Sequence, residues 1–283
     1  MSGPARFEGL HLAAAPAVIS PRGTVLASVT TDRPIAGVVS AGVEWGYTNF
    51  YRYRVARDGA DGGEEHDTED WVGITSTDLT VTAGEFTGGS STFRVPSWAP
   101  GSSPHVARWS CRLSLQTERG TFGDRADFDV LIGSGDVPPQ GGPAEHVEGS
   151  HDTEIDISLP TAIYRAGERV DGRVALKPRL DLPDGDAGVT WQRQRASHPL
   201  VRRPAAPEVT TGQMMLLGNG IELRSGSPVV LPFVLPLPVD APPSATAVHS
   251  SLLWFVTVQL AYTPPAGHLT ERVRRPIIVI NRP

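Results

Sequence analysis

The sequence predicts an all-β protein made of two tandem β-sandwich domains. Its 283 residues include 30 glycines and 26 prolines and lack a long helix-period segment, which is typical of short strands joined by turns. An early apolar pattern also returns at a constant offset of 145 positions, since Leu12 and Val25 correspond to Ile157 and Val170. This repeat indicates two copies of one fold, each long enough to bury its own core.

A stretch rich in glycine and proline separates the two copies. Residues 134–150 contain almost no apolar side chains, so they cannot bury enough surface to fold alone. We therefore predict a first domain at 1–133, a linker at 134–150 and a second domain at 151–283.

Strict alternation predicts the strands at the centre of each domain. In 44–55 the rings of Trp45, Tyr47, Tyr51 and Tyr53 share one face, as a half-buried strand requires.

The segment 108–116 alternates in the same way and places Trp109 and Cys111 on a dry face with two leucines. Its opposite face is expected to be wet: Arg108, Ser110, Arg112 and Ser114. Cys111 is the one cysteine of the chain, so no disulfide framework or cysteine metal site is expected, and its place on the apolar face predicts a core residue.

Charge and hydropathy exclude several functional classes. The formal charge of −6 does not give the basic footprint of a nucleic-acid binder. No apolar run approaches the roughly 18–20 residues that cross a bilayer, and the N-terminal stretch lacks the pattern of a signal peptide. A cytoplasmic protein without a membrane span is expected.

Short motifs in the second half resemble the arrestin-like clan. They are the apolar-proline step 233–236, the bend 242–244, the long strand 252–262 and the early turn 164–172. A prokaryotic relative of the sporulation-control type is the nearest resemblance, which implies a bacterial protein. It also implies two immunoglobulin-like, arrestin-like sandwiches.

The resemblance implies scaffold or adaptor work without catalysis. Protein partners of unknown identity would bind at sheet edges, in an interdomain groove or at loops. Formation of a homo-oligomer is a further alternative. The residues add no catalytic or cofactor motif: P-loop, Gly-x-Ser-x-Gly and His-Glu-x-x-His patterns do not occur. Two alternatives remain, a small-ligand or carbohydrate-binding module on the strand at 44–55 and a hydrolase on a sandwich scaffold.

Two acidic stretches offer oxygen ligands for a cation such as Ca²⁺. Their order does not match an EF-hand, and a solvated loop explains the composition equally well. The weak candidates in the first stretch, 57–70, are Asp58, Asp61, Glu64, Glu65 and Asp67. A shorter second cluster consists of Asp181, Asp184 and Asp186.

Two groups of residues are candidate interfaces. Leu253 and Phe255 lie on the face of their strand that should be polar if water covered it, so another domain, a second protomer, a partner or the chain's own loops should cover them. A basic loop at 193–203 could meet phosphate, an acidic partner or the acidic stretch, or lie solvated. Its candidates are Arg193, Arg195, Arg202 and Arg203.

Overall fold

A computed structural model describes residues 7–55, 63–138, 141–262 and 269–281. These residues are mostly β-strand, with one 3₁₀ turn at Ser134–Asp136. The predicted all-β class is confirmed.

The chain divides into two compact units. Unit 1 contains Met1–Ile132, Ser197–Ala205 and Ala245–Ser250, and unit 2 contains the remaining residues from Gly133 on. Two short segments of the second half of the sequence therefore belong to unit 1, which no sequence pattern indicated. The predicted domain and linker bounds stay a prediction.

Unit 1 is a sandwich of a three-stranded sheet, ordered β1-β3-β8, and a five-stranded sheet, ordered β2-β10-β9-β5-β6. A short ribbon of β4 and β7 accompanies them. The strands are β1 (Leu10–Ala15), β2 (Val18–Ile19), β3 (Thr24–Thr31), β4 (Ile35–Ala36), β5 (Val38–Val55), β6 (Glu64–Leu79), β7 (Glu85–Phe86), β8 (Gly89–Arg94), β9 (Ala107–Thr117) and β10 (Gly120–Val130).

Aromatic rings fill the space between the two sheets of unit 1. Trp45 of β5 stacks on Phe93 of β8, with ring centroids 5.2 Å apart, and its indole N–H donates to Ser91 Oγ at 2.9 Å. Tyr47 packs against Trp109 of β9 at 5.0 Å. The alternation in 44–55 and 108–116 thus predicted the core-facing rings correctly.

The later strands build the sheets of unit 2. Its larger sheet follows the order β11-β21-β20-β15-β16, with β17 also paired to β15 and β13 to β21, and its smaller sheet is β12-β14-β18. The strands are β11 (Glu145–Glu148), β12 (Thr153–Ser158), β13 (Ile163–Arg165), β14 (Arg169–Pro178), β15 (Leu182–Ser197), β16 (Glu208–Thr211), β17 (Met215–Leu223), β18 (Val229–Pro236), β19 (Ala245–Thr246), β20 (Ser250–Tyr262) and β21 (Thr270–Ile280). β19 lies in a segment of unit 1.

The two units repeat one strand order. The smaller sheets, β1-β3-β8 and β12-β14-β18, correspond strand by strand, and a short parallel strand joins β10 in unit 1 and β21 in unit 2. The repeat extends to side chains at the predicted offset of 145. Trp109 donates its indole N–H to the Pro100 carbonyl at 2.8 Å, and Trp254 donates to the Pro242 carbonyl at 3.0 Å.

The smaller sheet of unit 2 presents a charged outer face. Lys177 of β14 lies directly opposite Glu154 of β12, and its Nζ is 2.7 Å from the glutamate Oε1. This hydrogen bond raises the pKa of Lys177 and lowers the pKa of Glu154.

Candidate functional site

The longest edge strand of the two sandwiches is β6. It has 16 residues, contains no proline, and ends the five-stranded sheet of unit 1. Among the residues described, β5 is its pairing partner, and no further strand pairs with its other side. An edge of this kind presents backbone donors and acceptors to an added strand.

Hydrogen bonds of β5 show which β6 backbone groups face outward. The amides of Phe50, Arg52 and Arg54 all donate away from β6, to the Val106 carbonyl, Ser197 Oγ and the Arg203 carbonyl. In an antiparallel pair the direction alternates with every residue, so Tyr51 and Tyr53 bond to β6. The backbone N–H and C=O groups of their partners, Thr68 and His66, therefore point towards β5. It follows that the N–H and C=O groups of Asp67, which lies between these two positions, point away from β5, as do those of Glu69 and Trp71, which continue the same alternation.

The chain already completes one side of this sheet with an extended segment. Beyond the end of β9, residues 203–205 lie beside β5: Tyr53 forms a bridge with Pro204, and the Ala205 amide donates to the Arg52 carbonyl at 3.4 Å. Arg202 places its guanidinium 4.3 Å from the centre of the Tyr53 ring. The opposite edge, β6, has no such addition among the described residues.

The first half of β6 is densely acidic. Residues 64–70 hold five carboxylates and no lysine or arginine. Arg52 and Arg54 on the neighbouring strand both bind Glu65, the latter at 3.0 Å. Asp70 accepts the Tyr51 hydroxyl, and burial together with this carboxylate raises the pKa of Tyr51 to about 12. Asp67 and Glu69 are exposed.

A bulge separates this acidic half from the rest of β6. The register shifts at Gly46 of β5, which lies opposite Gly73. A Cβ on Gly46 would come within 2.2 Å of the Val72 carbonyl oxygen and 2.9 Å of the Trp71 ring, so this position requires glycine. Because bulges interrupt a ladder and increase the local twist, the regular part of the edge ends near Val72.

Arginines cover the aromatic rings on the outer face of this sheet. Arg112 of β9 lies 3.7 Å from the centre of the Trp71 ring, and Arg108 lies 5.1 Å from that of Phe50. Desolvation lowers the pKa of Arg112. Ser110, predicted to face water, is fully buried. That prediction was wrong at this residue: Ser110 lies between Arg108 and Arg112 on one face of β9, and these arginines lie over rings of β5 and β6 that the alternation of β9 alone does not reveal.

Where the structure describes them, the candidate metal ligands do not converge. Asp58 and Asp61 lie outside the described residues, and Glu64, Glu65 and Asp67 are part of β6 rather than of a loop. In the described ranges, no group of three or more histidine, cysteine, aspartate or glutamate side chains could hold a metal ion.

The second acidic cluster has local hydrogen bonds. Asp181 Oδ1 accepts the Ser225 amide at 2.9 Å, and Asp186 Oδ1 accepts the Gly220 amide at 2.8 Å. Asp181 thus binds the turn that follows β17, and Asp186 binds the backbone of β17 itself.

The four candidate arginines do not form one loop. β15 extends to Ser197, so Arg193 and Arg195 are strand residues, near Thr210 at 3.0 Å and Glu208 at 3.8 Å.

Arg202 and Arg203 belong to a segment of unit 1 and lie beside β5. The predicted basic loop thus falls into two places, and an interface role for any of the four stays a prediction.

Phe255 and Leu253 differ in cover. Arg274 of β21 lies 4.3 Å from the centre of the Phe255 ring and binds Glu145 of β11 at 2.9 Å, and Phe255 is buried. Leu253 keeps 38% of its surface exposed. For Phe255 the cover comes from the chain itself, from a strand residue rather than from the loops that were expected as one alternative. A partner at Leu253 stays a prediction.

The aromatic strand does not present a ligand platform. Trp45, Tyr47 and Tyr51 are buried in unit 1. Tyr53 is half-buried between Arg202 and the His66 ring, whose centroid lies 5.6 Å away. The ligand-binding alternative required exposed rings on this strand and loses its support there.

A buried polar cluster ties the segment Ala245–Ser250 to β5. Asn49 Nδ2 donates to Ser250 Oγ at 2.8 Å, and Asn49 Oδ1 accepts the His249 amide at 2.6 Å. Ser250 is fully buried, and His249 Nε2 lies 3.9 Å from Asp70. A serine held in this way by an amide is not placed to attack a substrate, so the cluster acts as an anchor.

Unit 1 also contains an open cleft of about 760 Å³. Its walls carry charges of both signs, including Asp32, Arg33, Glu118 and Arg119, beside the edge-to-face pair of Phe7 and Phe122. The mixed charges select no ligand class.

Comparisons with known proteins leave the family open. No family model matches the sequence, and no curated protein matches it. Among solved structures, Spo0M, a sporulation control protein from Bacillus subtilis, is similar with 16% identity and a TM-score of 0.38, over 47% of this chain and 51% of Spo0M. The similarity thus spans about half of each chain, and a TM-score this low carries no conclusion about family or role. No helix within the described ranges has the length and apolarity needed to cross a membrane.

Proposed function

We propose that the chain is a non-enzymatic, cytoplasmic scaffold or adaptor that binds protein partners by strand addition at β6. The observation that carries this proposal is a proline-free edge strand of 16 residues whose pairing with β5 is regular from Glu64 to about Val72. Main-chain hydrogen bonds to such an edge supply affinity, and pockets for alternate side chains supply specificity.

Two edges in unit 2 are less suited to strand addition than β6. β18, an edge of the smaller sheet in unit 2, carries Pro232 and Pro236 opposite Arg173 and Arg169 of β14. Proline lacks an N–H, and natural edges use it to prevent pairing. The edge beside β15 is divided between β16, with four residues, and β17, with three register shifts.

A proline at an outward-facing position tests the proposal. Glu69→Pro removes an N–H that points away from β5 and leaves the β5–β6 ladder bonds in place. Glu69→Ala changes the same side chain and keeps the N–H. We expect affinity capture from the native host, read by mass spectrometry, to recover the same proteins with the wild-type chain and Glu69→Ala and to lose them with Glu69→Pro. Equal recovery with all three folded proteins would contradict binding at β6.

A further inference from the structure

We infer that the occupant of the β6 edge is an extended segment with basic side chains on both faces; this inference rests on the proposed function. An added strand lies about 4.8 Å from the edge strand, so its side chains meet those of β6 first. Between 64 and 70 these are five carboxylates on the two faces of the strand. Glu65, Asp67 and Glu69 lie on the outer face with Phe50, and Glu64 and Asp70 lie on the inner face.

The arginines of β5 lie behind these carboxylates as seen from an incoming strand, and Arg52 is directly opposite Asp67. Arg52 and Arg54 bind Glu65 from the side of β5, one strand further from the edge. Asp67 and Glu69 keep exposed side chains at the edge itself. An arginine or lysine opposite them would form a cross-strand pair of opposite charge, and an acid there would be repelled.

The same charge disfavours a second copy of this chain on the edge. Two acidic β6 halves brought side by side would place like charges opposite one another, which destabilises a pair of strands. The backbone groups of the edge are therefore available for pairing, and its acidic side chains favour basic segments over acidic ones.

The bulge limits the length of the bound segment. Regular pairing of β6 ends near Val72, so the occupant spans the acidic half and ends beside Trp71 and Val72. An apolar residue at that end of the segment would pack against the half-buried Trp71 on the outer face.

Synthetic strands provide the direct test with the full chain. Three fluorescent peptides are compared by anisotropy: one in which pairs of adjacent arginines, separated by valine, place arginine on both faces of the strand, one with glutamate in place of arginine, and the arginine peptide with a central proline. We expect the first to bind at least about tenfold more tightly than the other two. Its affinity should fall as salt rises, since the Debye length shortens from about 10 Å at 0.1 M to about 3 Å at 1 M.

Two variants of matched charge locate the contact. Glu69→Arg should weaken the arginine peptide about three- to tenfold, whereas Asp78→Arg, an equal change on β6 beyond the bulge, should leave its affinity within about twofold. Glu69→Pro should abolish binding. Equal binding of the glutamate peptide, or equal effects of the two arginine variants, would overturn the choice of a basic segment.

The outcomes separate this inference from the proposed function. If capture from the host depends on the Glu69 amide but the arginine peptide does not bind, strand addition stands and the basic partner is wrong. If the wild-type chain sediments as a dimer and Glu69→Pro sediments as a monomer, a second copy occupies the edge and the inference fails.

Discussion

β6 in unit 1 and the pair β16 and β17 in unit 2 occupy the same place in two sheets of one strand order, yet they make different edges. β6 pairs with β5 across one register shift, whereas β17 pairs with β15 across three and β16 adds only four residues. Unit 2 also gains β11 at the far side of its larger sheet. Two units with similar cores thus have different edge strands. Differences in function are therefore more readily inferred from the edge strands than from the core.

The largest expected effect tests whether equivalent core tryptophans contribute equally to the stability of the two units. Trp109→Ala and Trp254→Ala should each lower the free energy of unfolding by about 3–5 kcal/mol, since each removes a fully buried ring and its bond to a proline carbonyl. Urea unfolding followed by circular dichroism measures both. Trp98→Ala, at an exposed tryptophan, is the control and should change it by less than about 0.5 kcal/mol. A small loss for one core tryptophan alone would break the equivalence of the units.

A smaller effect tests the direction of the β6 backbone. Thr68→Pro should lower the free energy of unfolding by about 2 kcal/mol or more, because the Thr68 amide points to Tyr51 of β5 and its loss leaves a ladder acceptor unpaired. Glu69→Pro, one residue further, should cost less than about 1 kcal/mol, as its amide faces outward. Urea titrations of the two variants decide this. Equal losses would show that the alternation has been assigned wrongly.

The smallest effect concerns Cys111, which corresponds to Val256 at the offset of 145. Burial raises the pKa of the Cys111 thiol from 9.0 to about 11. The folded state therefore holds this proton longer than the unfolded state, and the stability it contributes is present below about pH 9 and is lost as pH rises to about 11.

Cys111→Val should change stability at pH 7 by less than about 1 kcal/mol and remove this part of the alkaline decline. Unfolding titrations from pH 8 to about pH 11 compare the two proteins in the range set by this shift. Tyr51 and Tyr164 also have raised pKa values, of about 12, and they titrate in both proteins. Parallel pH profiles would show that Cys111 does not contribute.

Alternation within one strand predicted the core, because a buried face repeats every second residue. Trp45, Tyr47 and Trp109 are buried as that period requires. The offset of 145 correctly indicated two similar units for the same reason, since it compares equivalent core positions.

The candidate site was less predictable, because it depends on partners that are distant in sequence. Residues 64–70 have the composition of a loop and form a strand because β5 supplies a ladder for them. Phe255 breaks a polar face in the sequence, and its cover, Arg274, lies on the adjacent strand β21. The join of 203–205 to β5 spans about 150 positions, for which a single sequence gives no signal.

The pair of Lys177 and Glu154 in unit 2 has a practical use for experiments on β6. Lys177 is the chain's one lysine, so apart from the N-terminal amine it is the single attachment point for amine-reactive dyes or resins. It belongs to a different unit from β6, and a tether there leaves every β6 side chain chemically intact. Because the bond to Glu154 raises the pKa of Lys177, coupling will proceed best in alkaline buffer.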